Sequence, residues 1–163
     1  MKKILRLQSA LLKEVDKYEK IVPQEERDHF IDWERIHLVS CAKIGYQLAE
    51  KRGLDPILAA CACSCHDYGR IITGRQKDHA EAGYLPVQAF LRKTGLLQEE
   101  EVQEIALAVK NHSRKNEVGT PLEELVKDAD VIDFYQYGFI TVNEGQEKRL
   151  ARYLREREQG AVR

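Results

Sequence analysis

A histidine–aspartate pair, His66-Asp67, directly follows the most apolar stretch of the chain, residues 57–65. In an apolar environment such polar side chains are costly unless they are paired, hydrogen-bonded or bound to a cation. Further residues of the types that ligate metals lie at wide spacing on both sides of this pair. They are His37, His79, His112 and Asp130. If the chain binds a metal, this pattern predicts that His66 and Asp67 lie at the centre of the site.

Helical periodicity places several of these side chains on apolar faces. His37 shares a stripe with Cys41, and His112 continues the stripe that includes Val109. Asp130 also falls on an apolar face of its predicted helix. Imidazoles and carboxylates that converge from several helices form the mixed nitrogen and oxygen site that transition metals accept. Two inward carboxylates in one place also repel each other unless a cation lies between them.

Each of these residues has a simpler interpretation as well. A single inward histidine is more often a hydrogen-bonded core residue than a ligand, and an aspartate near a helix end is usually a cap or a surface charge. Asp128 and Asp133 could take the role given to Asp130. Spacing alone therefore leaves both a metal site and a set of structural polar residues open.

The elements that would position these residues are predicted to be helices. A proline at the first helical position, Pro56 after Asp55, marks one start, and Thr120-Pro121 marks another. Gly69 and Gly74 predict a loop after the apolar helix. The predicted helices cover approximately residues 4–18, 34–52, 56–65, 78–94, 98–112, 121–137 and 144–158. No alternating strand pattern is present, so the predicted fold class is all-α.

Composition narrows the classes of function. A chain of 163 residues forms one domain of ordinary size, and we expect residues 1–163 to be a single domain. The net charge of −1 gives no support for nucleic acid binding by bulk electrostatics. No apolar run approaches the roughly 18 residues of a membrane-spanning helix. Charged residues also interrupt any signal peptide, so we expect a cytoplasmic protein without a membrane partner.

The cysteines do not form a recognisable zinc-binding pattern. Their spacing does not match a zinc ribbon, and thiols at alternate positions of one helix point in different directions. We expect them to be small buried residues of the core. The four cysteines are Cys41, Cys61, Cys63 and Cys65.

The ordered set His37, His66-Asp67 and Asp130 resembles the H…HD…D signature of the HD-domain superfamily of metal-dependent phosphohydrolases. The resemblance covers roughly residues 30–140, and the segment His66-Asp67-Tyr68-Gly69-Arg70 is similar to the family's H-D-I-G-K/R segment. Tyr68 departs from the aliphatic residue of that pattern. The resemblance implies a compact single-domain helical bundle, with additional helices at both ends of the signature region.

The resemblance also implies a set of ligands for one or two divalent metal ions. His37, His66, Asp67 and Asp130 would form the first site. His79 and His112 are similar to the extra histidines of two-metal subfamilies, and Asp67 could bridge both ions. The metal could be Mn, Fe, Mg, Co, Ni or Zn.

The implied activity is hydrolysis of a phosphoester or phosphoanhydride by a metal-activated water. We expect the partner to be a small phosphorylated molecule, with a nucleotide as the first candidate. Besides Asp67, which could orient the water, Arg70 and Lys77 are the expected catalytic and phosphate-binding residues. Further candidates for phosphate contact are Arg75, Lys110 and Arg114.

Two alternatives remain within the same ligand set. A minority of HD-domain proteins hold two irons and activate dioxygen, and others could bind a metal or nucleotide as non-catalytic regulatory domains. The Gly-Tyr-Pro signature of cyclic-di-GMP phosphodiesterases is absent, and the residues 83–86 are only distantly similar to it. The sequence predicts neither the substrate nor the oligomeric state.

Overall fold

The predicted all-α fold class is confirmed. The computed structural model describes residues 1–160, and within them it has eight α-helices, one short 3-10 helix at Gln24–Glu26 and no strand. The helices are α1 (Lys2–Ile21), α2 (Ile31–Arg52), α3 (Pro56–Cys65), α4 (Tyr68–Thr73), α5 (His79–Thr94), α6 (Glu99–Asn111), α7 (Pro121–Gln136) and α8 (Glu144–Gly160). None of these helices is both long and apolar enough to span a membrane.

Helix α3 lies at the centre of the bundle, in contact with α1, α2, α6 and α7. Its start is fixed by Asp55, whose Oδ1 accepts hydrogen bonds from the backbone N–H groups of Ile57 (2.7 Å) and Leu58 (3.1 Å). Its last seven residues, 59–65, are all buried. The four cysteines are free and buried, as expected for core residues. Small side chains in α3 allow several helices to pack around it, which brings their polar residues to its carboxyl end.

The prediction of a loop directly after α3 is wrong, because residues 68–73 form helix α4. Gly69 is not a turn residue but a point of close packing between α4 and α5. A Cβ atom at Gly69 would overlap the backbone at His79, and one at Gly83 would be only 2.8 Å from the Gly69 nitrogen. Of the two glycines predicted to form this loop, Gly74, with φ of 71°, is the one that ends a helix. This close packing holds the start of α5 beside the end of α3.

Candidate metal centre

The structure brings all six predicted metal ligands into one cluster. Five of them are no more than 6% exposed, and the Asp130 side chain is 19% exposed. The cluster contains His37 of α2, His66 and Asp67 between α3 and α4, His79 at the start of α5, His112 after α6, and Asp130 of α7. Five separate parts of the chain therefore converge on a single polar site within a largely apolar bundle.

Asp67 lies between two pairs of histidines. Its Oδ2 is 3.4 Å from His37 Nε2 and 3.2 Å from His66 Nε2. Its Oδ1 is 3.0 Å from His79 Nε2 and 3.3 Å from His112 Nε2. Each carboxylate oxygen thus faces one pair, which is the arrangement that a bridging ligand requires.

The cluster has two halves, and both have the dimensions of metal sites. His37, His66 and Asp130 form the first half, and His79 and His112 form the second. In the first half the Nε2 atoms of His37 and His66 are 3.0 Å apart, and Asp130 Oδ1 lies 3.3 Å and 3.6 Å from them, respectively. In the second half the Nε2 atoms of His79 and His112 are 2.9 Å apart. Ligand atoms about 2.1 Å from an ion and at right angles to each other are about 3.0 Å apart. The two Nε2–Nε2 separations agree with that value.

The Nδ1 atoms of the four histidines form hydrogen bonds away from the cluster, so the Nε2 atoms face its centre. Each Nδ1 lies within hydrogen-bonding distance of an oxygen, and three of these oxygens are backbone carbonyls, which only accept. The acceptors are Asp133 Oδ2 for His37 (2.6 Å), Cys63 O for His66 (2.6 Å), Gln76 O for His79 (2.6 Å) and Val109 O for His112 (2.7 Å). A neutral imidazole with its proton on Nδ1 has a lone pair on Nε2.

The lone pairs within each half therefore point at each other. At 3.0 Å and 2.9 Å two such lone pairs repel unless a positive charge lies between them. A metal ion supplies that charge, and hydrogen bonds at the outer nitrogens are the usual way in which proteins orient ligating histidines. The donor set and its outer partners thus fit one or two transition-metal ions.

The electrostatics of the cluster also favour a cation. Burial opposes charge on Asp67, yet Arg70 and the surrounding imidazoles hold its pKa well below the usual range. Burial likewise opposes protonation of His66, but the Asp67 carboxylate raises the pKa of this imidazole to about 10. In the second half, burial lowers the pKa of His112 to about 4. In the first half the proton on His66 supplies the positive charge between the two Nε2 atoms, and a metal ion must displace it, whereas the His112 imidazole is neutral.

Among the three neighbouring aspartates of α7, only Asp130 contributes an oxygen to the cluster. Asp133, one turn further along the same face, accepts from His37 Nδ1 (2.6 Å) and from the Ser40 hydroxyl (2.8 Å). Asp128 points elsewhere and pairs with arginines of α2 and α8. Asp133 is thus the outer partner of a predicted ligand.

We expect Asp133→Ala to weaken metal binding by about 10- to 100-fold, the usual effect of removing an outer partner of a ligating histidine. Asp133→Asn keeps an oxygen acceptor for His37 and should lose less. The dissociation constant for Mn²⁺, measured by competition with a chelator, gives the comparison. Equal metal affinity in Asp133→Ala and the unmodified protein would contradict the role given to this residue.

A cleft of about 330 Å³ lies against the cluster. Asp67, His79, His112 and Asp130 line it, and Arg70 lines the same cleft. The Arg70 guanidinium pairs with Asp67 through Nη2, with Glu34 Oε1 through Nε (2.6 Å), and with Gln76 Oε1 through Nη1 (2.9 Å). These contacts fix a cation beside the predicted metal ligands.

The structure does not bring Lys77 to the cleft. This residue is exposed in the segment before α5, where Asp78 has a left-handed conformation (φ 56°) and His79 turns inward. The other candidate cations form surface ion pairs instead. These pairs are Arg75 with Asp28, Lys110 with Glu81, and Arg114 with Glu117.

Two titratable residues that line the cleft, His29 and Lys115, were missed in the sequence analysis. His29 belongs to the irregular segment before α2 and gave no periodic signal. Lys115 did carry a signal, because it follows His112 by three residues, as Arg70 follows Asp67. Lys115 Nζ forms an ion pair with Asp130 Oδ2.

A comparison with protein-family models matches residues 35–135 to the HD domain. The match covers more than half of the chain and includes every residue of the cluster. Neither the curated proteins nor the solved structures gave a match.

Proposed function

The chain belongs to the HD-domain family, and from this premise we propose that it is a metal-dependent phosphohydrolase. We infer that it cleaves an ester or anhydride bond in a nucleotide or another small phosphorylated metabolite. The observation that carries the proposal is the pairing of opposed Nε2 atoms around the two oxygens of Asp67. Such a centre, beside a cleft with fixed cations, suits the hydrolysis of phosphate compounds.

The residues of the chain would have separate roles in this reaction. A bound divalent metal supplies a water of lowered pKa and polarises a phosphoryl oxygen. The outer hydrogen bonds of the histidines hold the ligand nitrogens in place, and Asp67 keeps the two halves at a fixed separation. Arg70, held by three partners, would donate to a phosphate oxygen through a charge-assisted hydrogen bond.

The cleft supports a small substrate rather than a polymer. Its volume of about 330 Å³ lies at the lower end of small-molecule pockets, which span about 300 to 1,000 Å³. Val131 and Phe134 also line the cleft and add apolar surface, which suits the organic part of a phosphate compound. Both features agree with a nucleotide or a metabolite of similar size.

The test combines elemental analysis of the purified protein with a screen for phosphate or pyrophosphate release. Nucleotides, dinucleotides and generic phosphoesters are each assayed with Mn²⁺, Mg²⁺, Co²⁺ and Fe²⁺. We expect metal-dependent turnover of at least one compound. Tight nucleotide binding without turnover under any metal would instead indicate a regulatory domain. Bound iron with a spectrum that changes in air, again without turnover, would indicate an oxygenase.

A further inference from the structure

Each carboxylate of the cluster is paired with a cation that lines the cleft. Arg70 pairs with Asp67, and Lys115 pairs with Asp130 Oδ2, while the other oxygen of Asp130 faces His37 at 3.3 Å. The two cations lie on different parts of the chain, one in α4 and one in the turn after α6. The cleft therefore has a positive group beside each of the cluster's two carboxylates.

The position of Lys115 is unusual for a lysine. The residue is only 8% exposed, although it lies in the turn after α6, and its backbone N–H donates to Ser113 O (2.9 Å). An ammonium group has three N–H donors. One of them is used by Asp130, and because Lys115 lines the cleft, the same group can also bind an anion there.

Arg149 of α8 fixes the turn that carries Lys115. Its Nε donates to the backbone carbonyl of Lys115 (3.0 Å), Nη1 donates to Asp128 Oδ1 (2.8 Å), and Nη2 pairs with Glu124 Oε2 (3.0 Å). Arg149 is 7% exposed and belongs to α8, beyond the region matched to the family. The Arg149 guanidinium therefore joins the turn that carries Lys115 to α7.

We propose that Lys115 is a phosphate-binding catalytic residue and that Arg149 is its positioning residue. The inference rests on the proposed function, since it assigns the second cation that the phosphoryl group would contact. A rigid cation aimed at a group that gains negative charge stabilises it without reorganisation. The contact with the Lys115 carbonyl gives Arg149 a direct means of keeping that cation in place.

The experiment measures binding of inorganic phosphate to the Mn²⁺-saturated protein by calorimetry. Loss of one charge-assisted hydrogen bond should raise the dissociation constant of phosphate about 10- to 100-fold in Lys115→Gln. Lys115→Arg should retain most of the affinity. Arg149→Gln should weaken phosphate binding roughly tenfold through displacement of the turn. Arg152→Gln is the matched control, because Arg152 pairs with the same Asp128 but not with the turn.

A double variant separates positioning from general destabilisation. If Arg149 acts through Lys115, the double variant that combines Lys115→Gln with Arg149→Gln should bind phosphate no more weakly than Lys115→Gln alone. If Arg149→Gln does not fold, Arg149→Lys replaces it, because it keeps one donor for the Lys115 carbonyl. Additive losses, or an equal loss in Arg152→Gln, would overturn the positioning role.

Two results would overturn the role of Lys115 itself. One is unchanged phosphate affinity in Lys115→Gln. The other is loss of Mn²⁺ from that variant, which would restrict Lys115 to holding Asp130. Failure of the proposed function looks different, because the unmodified protein would then bind phosphate yet release none from any substrate.

Discussion

Asp67→Ala is expected to abolish both metal binding and phosphate release while leaving a helical protein. The two oxygens of this carboxylate face four imidazole nitrogens at 3.0 to 3.4 Å. Loss of an outer partner alone costs about 10- to 100-fold in metal affinity, so loss of the shared ligand should cost more than about 100-fold. Arg70 keeps Glu34 and Gln76 as partners, so the substitution does not leave its charge unpaired.

The measurement is the metal content after dialysis, alongside phosphate release and the helical circular dichroism signal. Asp67→Asn keeps the volume and one oxygen but removes the charge, and we expect partial metal retention with little activity. Asp32→Ala is a suitable control, because Asp32 lies on α2 with His37 but its side chain is 84% exposed. An Asp67→Ala protein that purified with full metal and full activity would refute the proposed function.

The helices and the cluster could be predicted because both depend on a strong repeating signal. His37 and Asp130 share the 3.6-residue period of the apolar residues around them, so their direction followed from their helices. Period alone did not separate Asp130 from Asp133, which lies one turn away on the same face. The structure separates them by partner, since Asp133 contacts the outer nitrogen of His37.

The errors occurred where local sequence and tertiary packing disagree. Gly69 is typical of a loop, but here the missing side chain allows α4 and α5 to approach, and no local pattern distinguishes these two uses. Lys77 is close to His79 in sequence, but the left-handed Asp78 turns the chain between them. Irregular segments have no periodic pattern from which the direction of a side chain can be inferred.

Lys115 shows a third kind of limit. It is buried in a turn whose backbone carbonyl accepts a hydrogen bond from Arg149, 34 residues later in the chain. A lysine in a polar turn is ordinarily solvated, whereas here Asp130 of α7 pairs with the ammonium group and α8 packs against the turn. The cations of such a site are therefore harder to predict than its ligands, because side chains outside the motif determine where they lie.

His79→Ala combined with His112→Ala is expected to lower the bound metal from two ions to one. These histidines face only Oδ1 of Asp67, so their removal leaves the first half with the other oxygen, two imidazoles and Asp130. Four ligands of this kind are sufficient for a transition-metal ion. Stoichiometry is measured by elemental analysis and by Mn²⁺ titration of each protein.

The reciprocal variant makes this test decisive. His37→Ala removes a ligand from the first half and leaves His79 and His112 in place, so it should lose the ion that the double variant keeps. If the double variant still bound two ions, both histidines would be ordinary polar residues of the pocket. If the unmodified protein bound one ion and only His37→Ala lost it, the second half would hold no metal. Asp67 would then be a terminal ligand rather than a bridge.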